Sequence, residues 1–147
     1  MLYVDTSVLV ALCTNEPKTA VVAAWYAQCT DDLASAAWCV TEFASALGLK
    51  QRIGQLTQAQ AQVAWLQFER ICANDLELLS VEISTFHTAA ELAMDSKTGL
   101  RAGDALHLAC AMQAKAQGVV TLDVVMAKNA RLLKLKPVSI DKAKHLP

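Results

Sequence analysis

Residues 2–7, with the sequence LYVDTS, join three apolar residues to a carboxylate and two hydroxyl residues. The apolar part predicts a short buried β-strand. The polar part has the composition of a helix N-cap, because its side-chain oxygens can accept hydrogen bonds from the free N–H groups of a first helical turn. A carboxylate at the carboxyl end of the first strand of an α/β sheet also lies where such sheets usually bind ligands. The stretch alone leaves open whether Asp5 is only a helix cap or also part of an acidic site.

Strand-like and helix-like segments alternate along the rest of the chain. The predicted strands are 2–4, 33–36, 76–81, 119–122 and 136–140, and the predicted helices are 8–13, 18–29, 39–50, 57–73, 84–97, 104–117 and 123–133. Thr57 and Ser84 are the predicted N-caps of two of these helices, and Pro137 favours an edge position for the last strand. Strands separated by helices need crossover connections, which indicates a parallel sheet covered on both faces. The predicted fold class is a single-domain α/β sandwich.

Length and composition restrict the class of protein further. A chain of 147 residues with 54% hydrophobic residues is most simply one domain with a substantial buried core. Its apolar runs stop short of the roughly 20 residues that a membrane span needs, and its first residues lack the features of a signal peptide. Five cysteines without a CxxC pair are typical of buried reduced thiols. We therefore expect a cytoplasmic protein that does not associate with membranes.

Four carboxylates stand apart from the ordinary surface acids. Asp5 and Asp123 each follow an apolar strand directly and precede a helix, and parallel strands present their carboxyl ends at one edge of a sheet. Asp104 lies in the first turn of an apolar helix, where the positive end of the helix dipole favours an ionised carboxylate. Glu42 interrupts an otherwise apolar run. Periodicity predicts a common edge for Asp5 and Asp123, but it does not fix the direction in which Asp104 and Glu42 face.

Each of these acids taken singly can be a helix cap or an exposed helix residue. Taken together they would repel one another unless a cation neutralises them. Oxygen ligands from aspartate and glutamate suit Mg²⁺ or Mn²⁺, ions that keep bound waters and contact phosphate oxygens. A site of this kind activates water for attack on a phosphodiester. The sequence contains no Ser-His-Asp, Cys-His or glycine-rich phosphate-loop pattern that competes with this interpretation.

Four segments form an ordered set of motifs: 3–9 (YVDTSVL), 41–43 (TEF), 100–109 (LRAGDALHLA) and 120–123 (VTLD). With these motifs the chain resembles the PIN-domain ribonucleases, and especially the VapC-type toxins of bacterial toxin–antitoxin pairs. The resemblance extends over essentially the whole chain, and the segment GDAL carries the most weight. It implies one PIN domain over residues 1–147, with a Rossmann-like five-stranded parallel sheet flanked by helices.

The resemblance also implies an activity, a cofactor and partners. The activity is endonucleolytic cleavage of RNA by a water that Mg²⁺ or Mn²⁺ activates. The partners are the RNA substrate, a cognate antitoxin whose peptide lies across the acidic groove, and a second copy of the chain in a homodimer. The implied catalytic residues are Asp5, Glu42, Asp104 and Asp123, with Asp5, Asp104 and Asp123 as the metal ligands and Thr6, Ser7 and Thr121 as supporting residues. Val124 and Val125 stand where many relatives have a second acid, so the number of metal ions stays open.

Basic residues near these motifs have two interpretations. Lys97, Arg101 and Lys128 either contact a substrate phosphate or an antitoxin carboxylate, or they belong to solvated loops and helix surfaces. Six basic residues in the last twenty positions form either a solvated face or a phosphate-attracting rim, opposed only by Asp141. They are Lys128, Arg131, Lys134, Lys136, Lys142 and Lys144.

Histidine and tryptophan side chains are interpreted as structural. His107 follows Asp104 by three residues on one helix, and a general-base role is conceivable, but its leucine neighbours favour a core histidine. Trp25, Trp38 and Trp65 lie in apolar helical contexts that favour packing over base stacking.

Three other functions fit parts of the sequence. A PIN-like fold without activity could serve only to bind RNA or protein, which is the main alternative. A phosphatase with Asp5 as covalent nucleophile would need a further aspartate two residues on, where this chain has Ser7. A receiver-like phosphoacceptor would need a lysine after a late strand, and no clear candidate is present. The sequence names neither the RNA target nor the antitoxin.

Overall fold

The computed structural model describes residues 1–142, which form a five-stranded parallel sheet with helices on both faces. The strands are β1 (Leu2–Val4), β2 (Leu33–Ala36), β3 (Leu76–Leu79), β4 (Gly118–Val120) and β5 (Lys136–Pro137). The helices are α1 (Thr6–Cys13), α2 (Thr19–Gln28), α3 (Trp38–Arg52), α4 (Gln58–Asn74), α5 (Ile83–Met94), α6 (Ala102–Gln113) and α7 (Val124–Leu132), followed by a 3₁₀ turn at Ile140–Lys142. Of the predicted basic rim, Lys144 and the side chain of Lys142 lie outside the described residues.

The strand order is β3-β2-β1-β4-β5, and every neighbouring pair is parallel. This sheet confirms the predicted α/β sandwich and the edge position of the strand that contains Pro137. β1 is the central strand, with Leu2 opposite Leu33 of β2 on one side and Val4 opposite Val120 of β4 on the other. All five carboxyl ends therefore open on the same edge of the sheet.

Side chains along β1 alternate between two hydrophobic cores, as the two-residue period of a strand requires. Leu2 and Val4 pack with α1, α2, α3 and α4, while Tyr3 packs with α5, α6 and α7. On the first side, Phe43 of α3 stacks on Phe68 of α4 with ring centroids 4.1 Å apart and an interplanar angle of 10°. The helices on the two sides are thus anchored through one strand, the strand that leads into Asp5.

Several element boundaries differ from the predicted ones. The third, fourth and fifth strands end earlier, at Leu79, Val120 and Pro137. The prediction that Ser84 caps α5 is wrong, because Glu82 occupies the N-cap position with extended backbone and the helix begins at Ile83. The same helix ends at Met94, since Asp95 is already extended. Beyond β4, the Thr121 side chain bonds to the Asp123 N–H, which turns the chain towards α7 instead of continuing the strand.

The five cysteines are free, and Cys13, Cys39 and Cys110 are buried, in agreement with the predicted reduced thiols. Burial raises the pKa of Cys110 to about 11 and that of Cys13 and Cys39 to about 12. Across residues 1–142, none of the helices is both long and apolar enough to cross a membrane.

The capping box at the start of α4 allows a test of the predicted N-cap. The Gln60 N–H donates to Thr57 Oγ1 at 3.1 Å, and the Thr57 N–H donates to Gln60 Oε1 at 2.9 Å. We expect Thr57→Ala to lower the free energy of unfolding by about 1 kcal/mol in urea denaturation, because one N–H of the first turn loses its acceptor. The control is Thr30→Ala, at an exposed threonine outside the helices. Equal effects of the two substitutions would contradict the assigned role of the cap.

Candidate active site

Pairing of β1 with β4 places Asp5 at the carboxyl edge of the sheet. The Asp5 N–H donates to the Val120 carbonyl at 2.9 Å, which extends the β1–β4 ladder by one residue. Ser7 Oγ donates to Asp5 Oδ2 at 2.6 Å, and Thr121 Oγ1 donates to the same oxygen at 2.8 Å. Asp5 occupies the N-cap position of α1, but its carboxylate makes no capping hydrogen bond. The carboxylate is therefore held, only 4% exposed, by hydroxyl groups from two segments.

Asp123 lies beside Asp5 because Thr121 links the two acids. Thr121 Oγ1 accepts the Asp123 N–H at 3.0 Å while it donates to Asp5. The Asp123 carboxylate accepts the Met126 N–H through Oδ1 at 2.7 Å and so caps α7. The predicted common edge for the two aspartates is thus observed, and for Asp123 the cap interpretation also holds.

Glu42 reaches the same edge from α3. Thr6 Oγ1 donates to Glu42 Oε1 at 2.7 Å, and His107 Nε2 contacts the same oxygen. Burial by itself would raise the pKa of Glu42, but the hydrogen bond and charge of His107, with further hydrogen bonds from Thr6 and Trp38, lower it below its ordinary value. Glu42 is therefore ionised and oriented, with its side chain 26% exposed.

Asp104 faces the other three acids from the first turn of α6. Burial raises its pKa, and the charges of Asp5, Asp123 and Glu42 raise it further, against a smaller opposing effect of His107. The direction that sequence periodicity left open is thus settled: Asp104 and Glu42 both lie within electrostatic reach of the strand-end aspartates.

Gly103 explains why α6 can approach Glu42 so closely. A Cβ atom at this position would lie 2.8 Å from Glu42 Oε2 and 3.5 Å from Trp38 Nε1. Glycine therefore provides the space that the Glu42 carboxylate occupies, which is a physical reason for the glycine of the GDAL motif. Trp38 itself is 37% exposed at this site, whereas Trp25 is buried.

The contact of His107 with the site is a feature that sequence reasoning missed. The ring is fully buried, as a core histidine would be, and its Nδ1 lies 2.7 Å from the Tyr3 hydroxyl. Burial by itself would lower the pKa of His107, but the hydrogen bond to Glu42 and the charges of Asp5, Glu42 and Asp104 raise it. The spacing of three residues from Asp104 was the available signal, but only the packing of α6 on α3 brings the ring to Glu42.

A groove of about 560 Å³ borders the acids and extends along α3. Its lining begins with Thr6, Ser7, Glu42, Asp123 and Leu122, and continues to Leu49, Lys50 and Ile53. Lys50 Nζ forms an ion pair with Glu16 Oε1 at 2.5 Å within this lining, a pair that the sequence did not suggest. The side chains of Leu49 and Ile53 are exposed there by 50% and 58%. Of the four site acids, Glu42 and Asp123 thus line an open channel with a partly apolar wall.

The three basic candidates near the acids are exposed. Arg101 occupies the N-cap position of α6, Lys97 lies in the preceding loop, and Lys128 lies on α7. Their exposure is compatible with both interpretations, so contact with a phosphate or a partner carboxylate stays a prediction.

The chemistry and spacing of the acids decide whether they could hold a metal ion. Among residues 1–142, no three carboxylate, imidazole or thiolate side chains form a preassembled cluster for one ion. Mg²⁺ does not require such a cluster, because it usually binds one or two carboxylates and retains several waters. The donors available are oxygens, and the repulsion that raises the Asp104 pKa is the kind of strain that a cation relieves. The donor set therefore fits a hard divalent cation.

Gly103 and Gly48 form a matched pair for a test of close packing. Gly103→Ala forces the Glu42 carboxylate away from its hydrogen-bond partners Thr6 and His107, and the loss of such contacts costs about 1–3 kcal/mol. At Gly48 of α3, a Cβ would meet only the flexible end of Arg52 at 3.3 Å, so Gly48→Ala should stabilise the protein by up to about 1 kcal/mol through helix propensity. Urea denaturation of both variants measures the difference. A Gly103→Ala variant as stable as wild type would show that the tight approach is not required.

The raised pKa of Asp104 predicts a pH-dependent stability in metal-free protein. A folded-state pKa above the ordinary value of 3.8 means that the folded protein binds the proton more tightly, so its stability falls as pH rises through that window. Asp104→Asn removes this penalty. We expect the variant to melt at a higher temperature than wild type at pH 7 in EDTA, and the difference to disappear below about pH 3.8.

The matched control for that comparison is Asp31→Asn, at an exposed aspartate that precedes β2 on the opposite edge of the sheet. Its melting temperature should follow that of wild type at both pH values. A lower melting temperature for Asp104→Asn at pH 7 would contradict the repulsion between the acids.

Several solved structures have the same fold. The structure of VapC20 from Mycobacterium tuberculosis, described as a sarcin-ricin loop cleaving toxin, matches with a TM-score of 0.71 and 15% identity, over 88% of this chain and 95% of that one. FitAcB from Neisseria gonorrhoeae matches with a TM-score of 0.70 and 20% identity, over 99% and 100% of the two chains. VapBC-1 from nontypeable Haemophilus influenzae matches with a TM-score of 0.63 and 17% identity, over 97% and 100%.

The sequence also matches a family of known domains. No functionally curated protein matches it. The PIN domain family matches residues 2–132, a range that contains β1–β4, all four acids of the site and the groove beside them. The fold shared with VapC and FitB-type structures agrees with this assignment. This chain therefore belongs to the PIN domain family.

Proposed function

We propose that the chain is a Mg²⁺- or Mn²⁺-dependent endoribonuclease and the toxin of a toxin–antitoxin pair. The observation that carries the proposal is the meeting of Asp5, Glu42, Asp104 and Asp123 at the carboxyl edge of a PIN-domain sheet, where their charges act together on Asp104. Four carboxylates from separate elements repel one another at this edge, and that repulsion opposes folding. Such a cost is typical of functional sites.

The four acids have different roles in this proposal. Asp5, Asp104 and Asp123 would hold the cation, and Glu42, kept ionised by His107 and Thr6, would add negative charge and orient a water. Bound there, the cation supplies Lewis-acid chemistry, lowering the pKa of a water and stabilising the departing oxygen of a phosphodiester. Ser7 and Thr121 keep the Asp5 carboxylate in place through hydrogen bonds to Oδ2.

The groove supplies a path for the substrate. Single-stranded RNA can lie along the 560 Å³ channel with a phosphate at the acidic end, because that end is open to solvent. Thr6 and Ser7 line the channel and can donate to a phosphate once the RNA displaces their present partners. Lys97, Arg101 and Lys128 are exposed and can contact flanking phosphates by charge.

The proposal extends to partners and location. A cognate antitoxin is proposed as a partner, which the shared fold with VapBC-1 and FitAcB supports. We further propose that it covers the acidic groove and that the complex is cytoplasmic. A homodimer is also proposed. Exposed apolar residues of α5 support a second interaction surface besides the groove. They are Ile83, Phe86 and Met94, exposed by 78%, 51% and 82%. Surfaces of this kind mark interaction sites when they are contiguous.

The decisive experiment incubates the purified protein with total RNA in Mn²⁺, in Mg²⁺ and in EDTA, and maps the cut ends. We expect cleavage that chelation abolishes and Mn²⁺ restores. Asp5→Asn should reduce cleavage by more than the roughly 10- to 100-fold that loss of an outer-shell partner costs, because a direct ligand is neutralised. The same substitution should abolish toxicity on expression in cells.

The matched control is Asp31→Asn, which removes the same charge from the opposite edge of the sheet and should cleave as wild type does. Undiminished metal-dependent cleavage by the Asp5→Asn protein would overturn the assignment. Binding of RNA by the wild type without any cleavage in Mn²⁺ would favour the alternative of a PIN-like binding module.

A further inference from the structure

Three buried or partly buried side chains connect the sheet to the candidate active site. His107 of α6 is 0% exposed, and its two ring nitrogens contact different partners. Nδ1 lies 2.7 Å from the hydroxyl of Tyr3, and Nε2 contacts Glu42 Oε1 and lies 3.1 Å from Thr6 Oγ1. The imidazole therefore bridges a side chain of the central strand and one acid of the site.

The Tyr3 end of this bridge is rigid. Tyr3 is fully buried on β1, and its hydroxyl accepts the N–H of Ala36, the last residue of β2, at 3.0 Å. Burial raises the pKa of Tyr3 above its ordinary value, so the phenol keeps its proton. When the phenol donates to Nδ1, a neutral ring carries its proton on Nε2, towards Glu42. When the phenol accepts from Nδ1, Nε2 carries a proton only in the protonated ring.

The Glu42 end of the bridge is held by contacts from three helices. Glu42 has three rotatable side-chain bonds and is partly exposed, so an unrestrained carboxylate would sample several orientations. Its Oε1 contacts Thr6 and His107, and its Oε2 occupies the space that Gly103 leaves. Trp38 of its own helix adds a further hydrogen bond. Of these contacts, the one from His107 of α6 is anchored to the sheet through Tyr3.

We propose that His107 is a positioning residue, which holds the Glu42 carboxylate in its working orientation while Tyr3 sets the orientation of the ring. The proposal rests on the proposed function for the use of that carboxylate. A histidine needed only for packing would not require a site carboxylate at one nitrogen. Outer partners that orient the carboxylates of a metal site typically contribute 10- to 100-fold to metal affinity or activity.

Two amide substitutions distinguish the roles of the two ring nitrogens of His107. The side-chain nitrogen of His107→Gln reaches the position of Nε2 and can still donate to Glu42, whereas the shorter side chain of His107→Asn reaches only the position of Nδ1, next to Tyr3. Both leave an uncharged amide in the same buried site, so they are matched in polarity. Thr85→Val is the control for loss of a buried hydrogen bond elsewhere, because Thr85 of α5 bonds to Gln113 outside the site.

The first measurement is Mn²⁺ affinity by calorimetry or by the electron paramagnetic resonance of free Mn²⁺, without RNA, alongside cleavage rates. We expect His107→Asn to lose about 10- to 100-fold in both, His107→Gln to recover most of the loss, and Thr85→Val to bind as wild type does. Melting temperatures establish that each variant is folded. Equal losses for the two amides, or no loss for either, would overturn the positioning role.

The second measurement is independent of metal. In ¹H–¹⁵N spectra of metal-free protein, Glu42→Gln should shift the His107 Nε2 resonance and Tyr3→Phe should shift Nδ1, while Thr85→Val should leave both unchanged. An Nε2 resonance insensitive to Glu42→Gln would overturn the bridge even if the protein cleaves RNA. Failure of wild type to bind Mn²⁺ or cleave RNA, with the Nε2 shift present, would instead count against the proposed function and leave the bridge supported.

Discussion

Parallel pairing of β1 with strands on both sides is the constraint on which the rest of the structure depends. The register places Val4 opposite Val120, so that Asp5 continues the ladder and meets Thr121 just beyond β4. A shift of one residue would exchange the faces of the strand, which would turn Tyr3 away from His107 and move the apolar residues of β1 out of their cores. Core packing and site geometry are therefore specified by the same hydrogen-bonded register.

The four acids at one edge of the sheet repel one another, and the protein stabilises them to different degrees. Hydroxyl donors hold Asp5, an imidazole and a hydroxyl hold Glu42, and a backbone N–H of α7 holds Asp123. Asp104 bears the remaining repulsion, which adds to the larger effect of burial in raising its pKa. The other three carboxylates are directed by these contacts, and the fourth has the most to gain from a cation. This inequality gives the proposed metal site a physical basis beyond the family resemblance.

Agreement between sequence and structure is best where the physics is local. The apolar run before Asp5 and the Thr57 cap each depend on a few consecutive residues, and both are observed. Ser84 is not the cap although serine is a suitable residue type, because Glu82 occupies the N-cap position two residues earlier. Strand ends were placed too late for a related reason: apolar residues continue beyond the last ladder bond, and only the neighbouring strand determines where pairing stops.

The sequence by itself determined the alternation of strands and helices, the parallel sheet that follows from it, and the common edge of Asp5 and Asp123. These follow from side-chain periodicity and from the geometry of crossover connections. Only the tertiary structure decided that Glu42 and Asp104 face that edge, that Asp123 caps its helix while Asp5 does not, and that His107 reaches Glu42. The reason is that periodicity assigns a face within one helix, whereas these contacts depend on how α3 and α6 pack against each other across a glycine.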